Sequence, residues 1–173
     1  MPEYWDLVDN QGKYIGEHML RGTEQPQNTW HCVVGIIIQN NIGEILFIKR
    51  AHTKKQYPNM WEHIGGCVVS GETPIEAACR EVYEEVGISL TEEKLMLVDT
   101  FFEKTAYVYT FYIQKEISID KFLLQENEVS DIKWVEAENI LKYPEKNQVS
   151  PAAYRRLKRA IFRMKVINEK DAI

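Results

Sequence analysis

With 173 residues, the chain has room for one sizeable hydrophobic core and not for two. Its net charge of −5 leaves no basic footprint for a nucleic-acid duplex, and its longest apolar run, Cys32 to Ile38, is far short of a membrane span. Three cysteines, Cys32, Cys67 and Cys79, form an odd count without metal-finger spacing, and Met1-Pro2-Glu3 carries no secretory n-region, so reduced thiols and a cytoplasmic location are expected.

The first predicted elements are two short strands, Tyr4 to Asp9 and Tyr14 to Glu17, around the turn Asn10-Gln11-Gly12-Lys13. A polar loop from Arg21 to Asn28 follows, so residues 1–28 read as a hairpin and loop extension on a single domain spanning residues 1–173. Trp30 to Ile38 is rich in β-branched residues and reads as a buried strand; Asn40 to Gly43 reverses it, and Glu44 to Lys49 returns beside it. Trp61 to Ile64 is a short extended piece.

Thr73-Pro74 followed by Glu76 opens a helix, because threonine offers an N-cap oxygen, proline fits the first helical position, and the acidic residue answers the N-cap amide. The helix is expected over Pro74 to Val86, with Ile75, Ala78, Cys79, Val82 and Val86 toward a core and Gly87 as its left-handed stop. Strands are expected at Leu95 to Glu103, Ala106 to Gln114 and Ile132 to Val135, with a long loop from Lys115 to Asp131. Ser150-Pro151 opens a last helix whose apolar stripe is Tyr154, Leu157, Ala160, Ile161 and Met164, while Arg155, Arg156, Lys158, Arg159, Arg163 and Lys165 are expected to face water. Strands flanked by one mid-chain and one terminal helix fit an α/β fold, an α/β/α sandwich around a mixed β-sheet.

The chemistry concentrates on the mid-chain helix. Glu81, Glu84 and Glu85 stand at i, i+3 and i+4 on a side away from the apolar stripe, where each like-charge pair costs a few tenths of a kcal/mol. A divalent cation would relieve that repulsion, and an all-carboxylate donor set suits Mg²⁺ or Mn²⁺. Written out, the segment is Gly66, five residues, Glu72, seven residues, Arg80-Glu81, Val82, one residue, Glu84-Glu85, one residue, Gly87-Ile88. This run resembles a complete Nudix box, and the chain is similar to the Nudix hydrolases.

That resemblance implies the Nudix α/β/α sandwich and an Mg²⁺ (or Mn²⁺) cofactor held by Glu81, Glu84 and Glu85, with the Gly65 carbonyl as a further ligand. It implies hydrolysis of a small-molecule diphosphate by a metal-activated water. Glu72 and Arg80 are expected to form an ion pair that orients loop and helix, and Gly65-Gly66 to let the backbone approach the metal closely. Catalytic candidates are Glu81, Glu84 and Glu128. Glu81 is the first choice for general base; the segment Leu124 to Val129 resembles the family's acidic loop, so Glu128, then Glu126, is the other candidate for base or added ligand.

The N-terminal half, EYWDLVDNQGKYIG, Arg21-Gly22, Trp30-His31 and KRAHTKKQYPNMWE, resembles the Nudix branch that includes type 1 isopentenyl-diphosphate isomerase. In that isomerase the catalytic cysteine sits in an Asn-x-x-Cys-Gly-His-Pro segment before the box. Here Gly65 falls at the cysteine position and Cys67 at the metal-binding histidine position, and Lys104 and Ala106 stand about where the isomerase has Glu-x-Glu. The expectation is therefore hydrolysis of a diphosphate linkage in a nucleoside diphosphate linked to X, or a related organic pyrophosphate, with the isomerase as the alternative. His31 lies near a metal-binding histidine of that branch. Lys49, Arg50, Lys54 and Lys55 could meet distal phosphates, and Tyr57, Trp61, Trp5 and Tyr4 could stack on a base or pack the core. A homodimer is left open.

Overall fold

Val34, Ile36 and Ile38 turn to one side of the strand Trp30–Gln39 and Ile37 to the other, and all four are 1% exposed or less, so that strand carries a core on both faces. In this computed structural model, which describes residues 2–170 and their side chains as far as Met164, it is the third of nine strands. Before it come β1 (Tyr4–Val8) and β2 (Tyr14–Leu20), and after it β3 (Trp30–Gln39) is followed by β4 (Glu44–Arg50), β5 (Trp61–Glu62) and β6 (Ile64–Cys67). Helix α1 (Pro74–Val86) leads to β7 (Met96–Glu103), β8 (Ala106–Gln114) and β9 (Val129–Glu136), then α2 (Ala137–Lys142) and α3 (Pro151–Lys170).

The sheet is mixed. Along β3, β8 runs parallel from His31↔Ala106 to Gln39↔Gln114, while the other edge is shared by antiparallel β1 (Leu7↔His31) and β6 (Gly35↔Gly65). β4 touches β3 only at Gln39↔Ile45 and then pairs with β9 and β5. Helix α1 buries Ala77, Ala78, Val82 and Val86 against Val34, Ile36 and Phe111 on one face. On the other, Leu157 and Ala160 of α3 pack on Ile37, Phe47 and Trp61. This is the expected α/β sandwich. Among the described residues, no helix is long and apolar enough to cross a membrane.

Two expectations need correction, and one helix has no counterpart among them. β9 starts at Val129 rather than Ile132, because after an irregularity between Lys49 and Arg50 the ladder continues to Arg50↔Val129. The segment after β9 is helical over Ala137–Lys142, where it buries Ile140. The arginines of α3 do not simply face water: Arg159 (2.6 Å) and Arg163 (3.2 Å) bind Asp99, whose side chain is 2% exposed, and Arg156 binds Glu103 at 2.8 Å. A carboxylate buried on β7 needs a counter-charge, and α3 supplies it. Lys158 is exposed, and the side chain of Lys165 lies outside the described residues.

Candidate active site

Two well-formed ends hold α1. At its start the Glu76 amide donates to the Thr73 hydroxyl (3.3 Å) and the Thr73 amide to the Glu76 carboxylate (2.8 Å), a reciprocal capping box; at its end Gly87 sits at φ 72°. The loop before β9 docks on that end, the Leu123 amide donating to the Val86 carbonyl (3.0 Å) and the Gln125 amide to the Glu85 carbonyl (3.1 Å). This brings Glu126 and Glu128 to the helix from a distant part of the chain.

Arg80 is the hub. Its Nε and Nη2 donate to the two oxygens of Glu72 (2.8 and 2.9 Å), Nη2 also to the Cys67 carbonyl (3.0 Å), and Nη1 to Glu81 (2.8 Å) and Glu84 (3.0 Å). One guanidinium thus ties β6, the following loop and two box glutamates together. The Glu81 carboxylate lies against Gly66 so closely that a Cβ there would overlap it, and a Cβ on Gly65 would come to 2.5 Å from the Val34 carbonyl oxygen. The two glycines therefore make room for Glu81 and for β3, a more specific reason than the close metal approach expected of them.

The three box glutamates do not share one environment. Glu84 is 48% exposed, and it and Glu81 both turn to Arg80. Glu85 instead points inward, is 7% exposed, and has a buried oxygen, Oε2, with no hydrogen-bond partner. Burial holds its carboxyl well above the usual range, and Glu81, Glu62 and Glu128 push it further while Lys54 pulls back. Burial also raises Glu81, against the lowering effect of Arg80, with Glu84 and Glu72 adding to the rise. Among the described residues, no three carboxylate, histidine or cysteine side chains are already gathered at ligating distance. A buried carboxyl oxygen without a donor, within the field of three more carboxylates, nevertheless fits a hard divalent cation, since ionising it there unaided is costly.

Glu62 was not anticipated. It leads into the box as the second residue of β5, pairs with Arg50, accepts from the Ser150 hydroxyl (3.3 Å), and lies close enough to Glu85 to perturb it. Only its alternation with buried Trp61 and His63 along the extended segment 61–63 could have signalled it. Glu128 is paired with Lys54, whereas Glu126 is exposed. Of the other candidates, Lys49 lies 5.8 Å from the Trp61 ring centroid, and Arg50 Nε also donates to the Gln56 carbonyl (2.9 Å). Tyr57 is exposed on the loop between β4 and β5 at φ 50°. His31 is stacked on Trp5 (centroids 4.4 Å) with Nδ1 bonded to Gln25 (2.8 Å), so its ring is engaged on β1 and the 21–28 loop.

This geometry agrees with comparisons to known proteins. The family model of the NUDIX domain matches residues 29–157. An uncharacterised Nudix hydrolase of Listeria monocytogenes is 30% identical over 139 residues, 80% of this chain and 82% of that protein. An isopentenyl-diphosphate Delta-isomerase of Corynebacterium diphtheriae is 26% identical over 151 residues, 78% of this chain and 79% of that one. The crystal structure of a Deinococcus radiodurans protein superposes with a TM-score of 0.76 at 23% identity, covering 91% of this chain and 99% of that one, which speaks to the fold.

Proposed function

The chain belongs to the Nudix family and is a Nudix pyrophosphohydrolase, and from that premise we propose that it is an Mg²⁺-dependent (or Mn²⁺-dependent) enzyme cleaving the diphosphate linkage of a nucleoside diphosphate linked to X, or a related organic pyrophosphate. The observation that carries the cation reading is the buried, unpartnered Oε2 of Glu85 amid Glu81, Glu62 and Glu128. Glu81, Glu84, Glu85 and the Gly65 carbonyl would hold the ion. When bound, it offsets charge on the phosphoryl oxygens and eases deprotonation of water.

The chain's own residues do the rest. Arg80 fixes Glu81 through a 2.8 Å bond, and burial raises that carboxyl, so it can accept a proton nearer neutral pH than an exposed glutamate can. Lys49, Arg50 and Lys54 would meet the phosphates of the substrate, Arg50 and Lys54 by exchanging their present partners, Glu62 and Glu128. The three free thiols suit a cytoplasmic location.

The relative that is an isomerase keeps that class as a second reading. Against it, Gly65 stands where the isomerase has its cysteine, and burial pushes the Cys67 thiol up to about 12, away from any acid–base role near neutrality. A screen of nucleotide sugars, dinucleoside polyphosphates, nucleoside triphosphates, coenzymes and prenyl diphosphates with Mg²⁺ or Mn²⁺ tests the proposal. Phosphate-containing products from a nucleoside diphosphate compound support it; isomerised prenyl diphosphate with no hydrolysis overturns it.

A further inference from the structure

The stretch from Val68 to Glu72 joins β6 to α1, and it is held from outside by β1. The Ser70 amide donates to the Tyr4 carbonyl (2.8 Å), the Ser70 hydroxyl to one oxygen of Asp6 (2.5 Å), and the Gly71 amide to the other (3.1 Å). Both oxygens of one carboxylate are thus committed to two consecutive loop residues. The next residue is Glu72, which receives Arg80 on both of its oxygens, and Arg80 in turn holds Glu81 and Glu84.

On the side of the hairpin Asp6, Glu72 and Pro74 line one open cavity of about 160 Å³. The turn is closed within itself by the Glu72 amide donating to the Val69 carbonyl (3.0 Å) and the Val69 amide to the Glu72 carboxylate (3.2 Å), and the bonds that Asp6 accepts, with that from Ser70 to Tyr4, tie the turn to β1. Gly71 holds φ at 84°, so the turn also needs a backbone conformation that an anchored amide helps maintain. Asp6 lies on β1, outside the residues 29–157 that match the family model.

We propose that Asp6 is a positioning residue: by pinning Ser70 and Gly71 it fixes Glu72 and, through it, the Arg80 guanidinium, and so sets the placement of Glu81 and Glu84 and the affinity for the divalent cation. This rests on the cation reading given above. Because Asp6 touches neither ligand nor substrate, its loss acts on cation binding before turnover.

The test uses the full chain with Mn²⁺ as the probe, measuring free Mn²⁺ by electron paramagnetic resonance, amide exchange at Ser70 and Gly71, and the Mn²⁺ dependence of turnover. Asp6→Ala should weaken Mn²⁺ binding about tenfold, the lower end for an outer partner of a metal site, and speed exchange at Gly71. The Mn²⁺ needed for half-maximal rate should rise in step, while kcat at saturating Mn²⁺, where bound cation re-seats Glu81 and Glu84, falls by less than about tenfold. Asp6→Asn keeps the shape and one acceptor, should fall between, and is the folded comparison if the alanine variant is unstable. Wild-type Mn²⁺ affinity in Asp6→Asn or Asp6→Ala, with any loss confined to Tm, overturns the proposal, since Asp6 then only ties down the hairpin. If Glu85→Gln binds Mn²⁺ as wild type does, the cation reading itself fails and the role of Asp6 falls with it.

Discussion

The carboxylate of Glu81 occupies the space that a side chain at Gly66 would fill. Gly66 is not in the left-handed region, so alanine suits its backbone, and the atoms in conflict are the far end of a flexible side chain. Gly66→Ala should therefore fold with a loss of only about 1 kcal/mol, read from chemical denaturation. Activity should fall about a hundredfold, because the displaced group is a catalytic candidate and small misplacements are costly. A variant that keeps near-full turnover would show that the position of Glu81 is immaterial.

Glu85 carries opposite consequences for stability and for function. Its buried Oε2 has no partner and burial disfavours its charged form, so replacing the carboxyl with a neutral amide should raise the Tm of the metal-free protein at alkaline pH, where Glu85 must ionise. The same change should remove the rise in Tm that Mg²⁺ or Mn²⁺ confers on the wild type and lower kcat by about two orders of magnitude. Calorimetric scans with and without cation, beside a rate assay, separate the two effects. A Glu85→Gln protein that still gains stability from cation would assign the ion to other residues.

How far the sequence foretells this site differs from residue to residue. Helix α1 was legible to its ends, since Thr73, Pro74, Glu76 and Gly87 act locally and the structure uses each one. The i, i+3, i+4 spacing placed three glutamates together but could not say that Glu85 turns inward under the 123–125 segment while Glu84 turns to Arg80 and solvent. That division depends on what docks at the end of α1. For the same reason the sequence does not signal Glu62, nor that Asp99, 60 residues from Arg159, receives Arg159 and Arg163 while Glu103 receives Arg155 and Arg156. Pairings across such separations are set by topology, which local patterns do not contain.

His31 offers a pH test away from the candidate catalytic carboxylates. Burial lowers it from 6.5 to about 4, against a smaller raising effect from the Thr105 backbone. The unfolded chain then binds more protons than the folded one between these values, so the contribution of His31 to stability is present above 6.5 and is lost as pH falls toward 4. Comparing wild type with His31→Gln isolates this residue from the other titrating groups. The stability difference should shift against the wild type as pH falls across that window. A flat difference would mean that the ring protonates freely beside Trp5, on which it stacks at 4.4 Å.

The identity of the general base turns on the contrast between Glu81 and Glu128. Glu81 is anchored on a helix, held by Arg80 at 2.8 Å and raised by burial, so it is both placed and basic enough to take a proton from water. Glu128 sits just before β9, and its carboxylate is engaged by Lys54, which must give way before it can act. Glu81→Gln should therefore lower kcat by about a hundredfold or more with little change in KM, since the amide keeps the shape but cannot accept a proton. It should also erase the acidic limb of the kcat profile, which reports protonation of the base. Glu128→Gln should cost less and leave that limb in place. If Glu128→Gln instead abolishes the limb while Glu81→Gln only weakens cation binding, Glu128 on the loop before β9 is the base and Glu81 is a ligand.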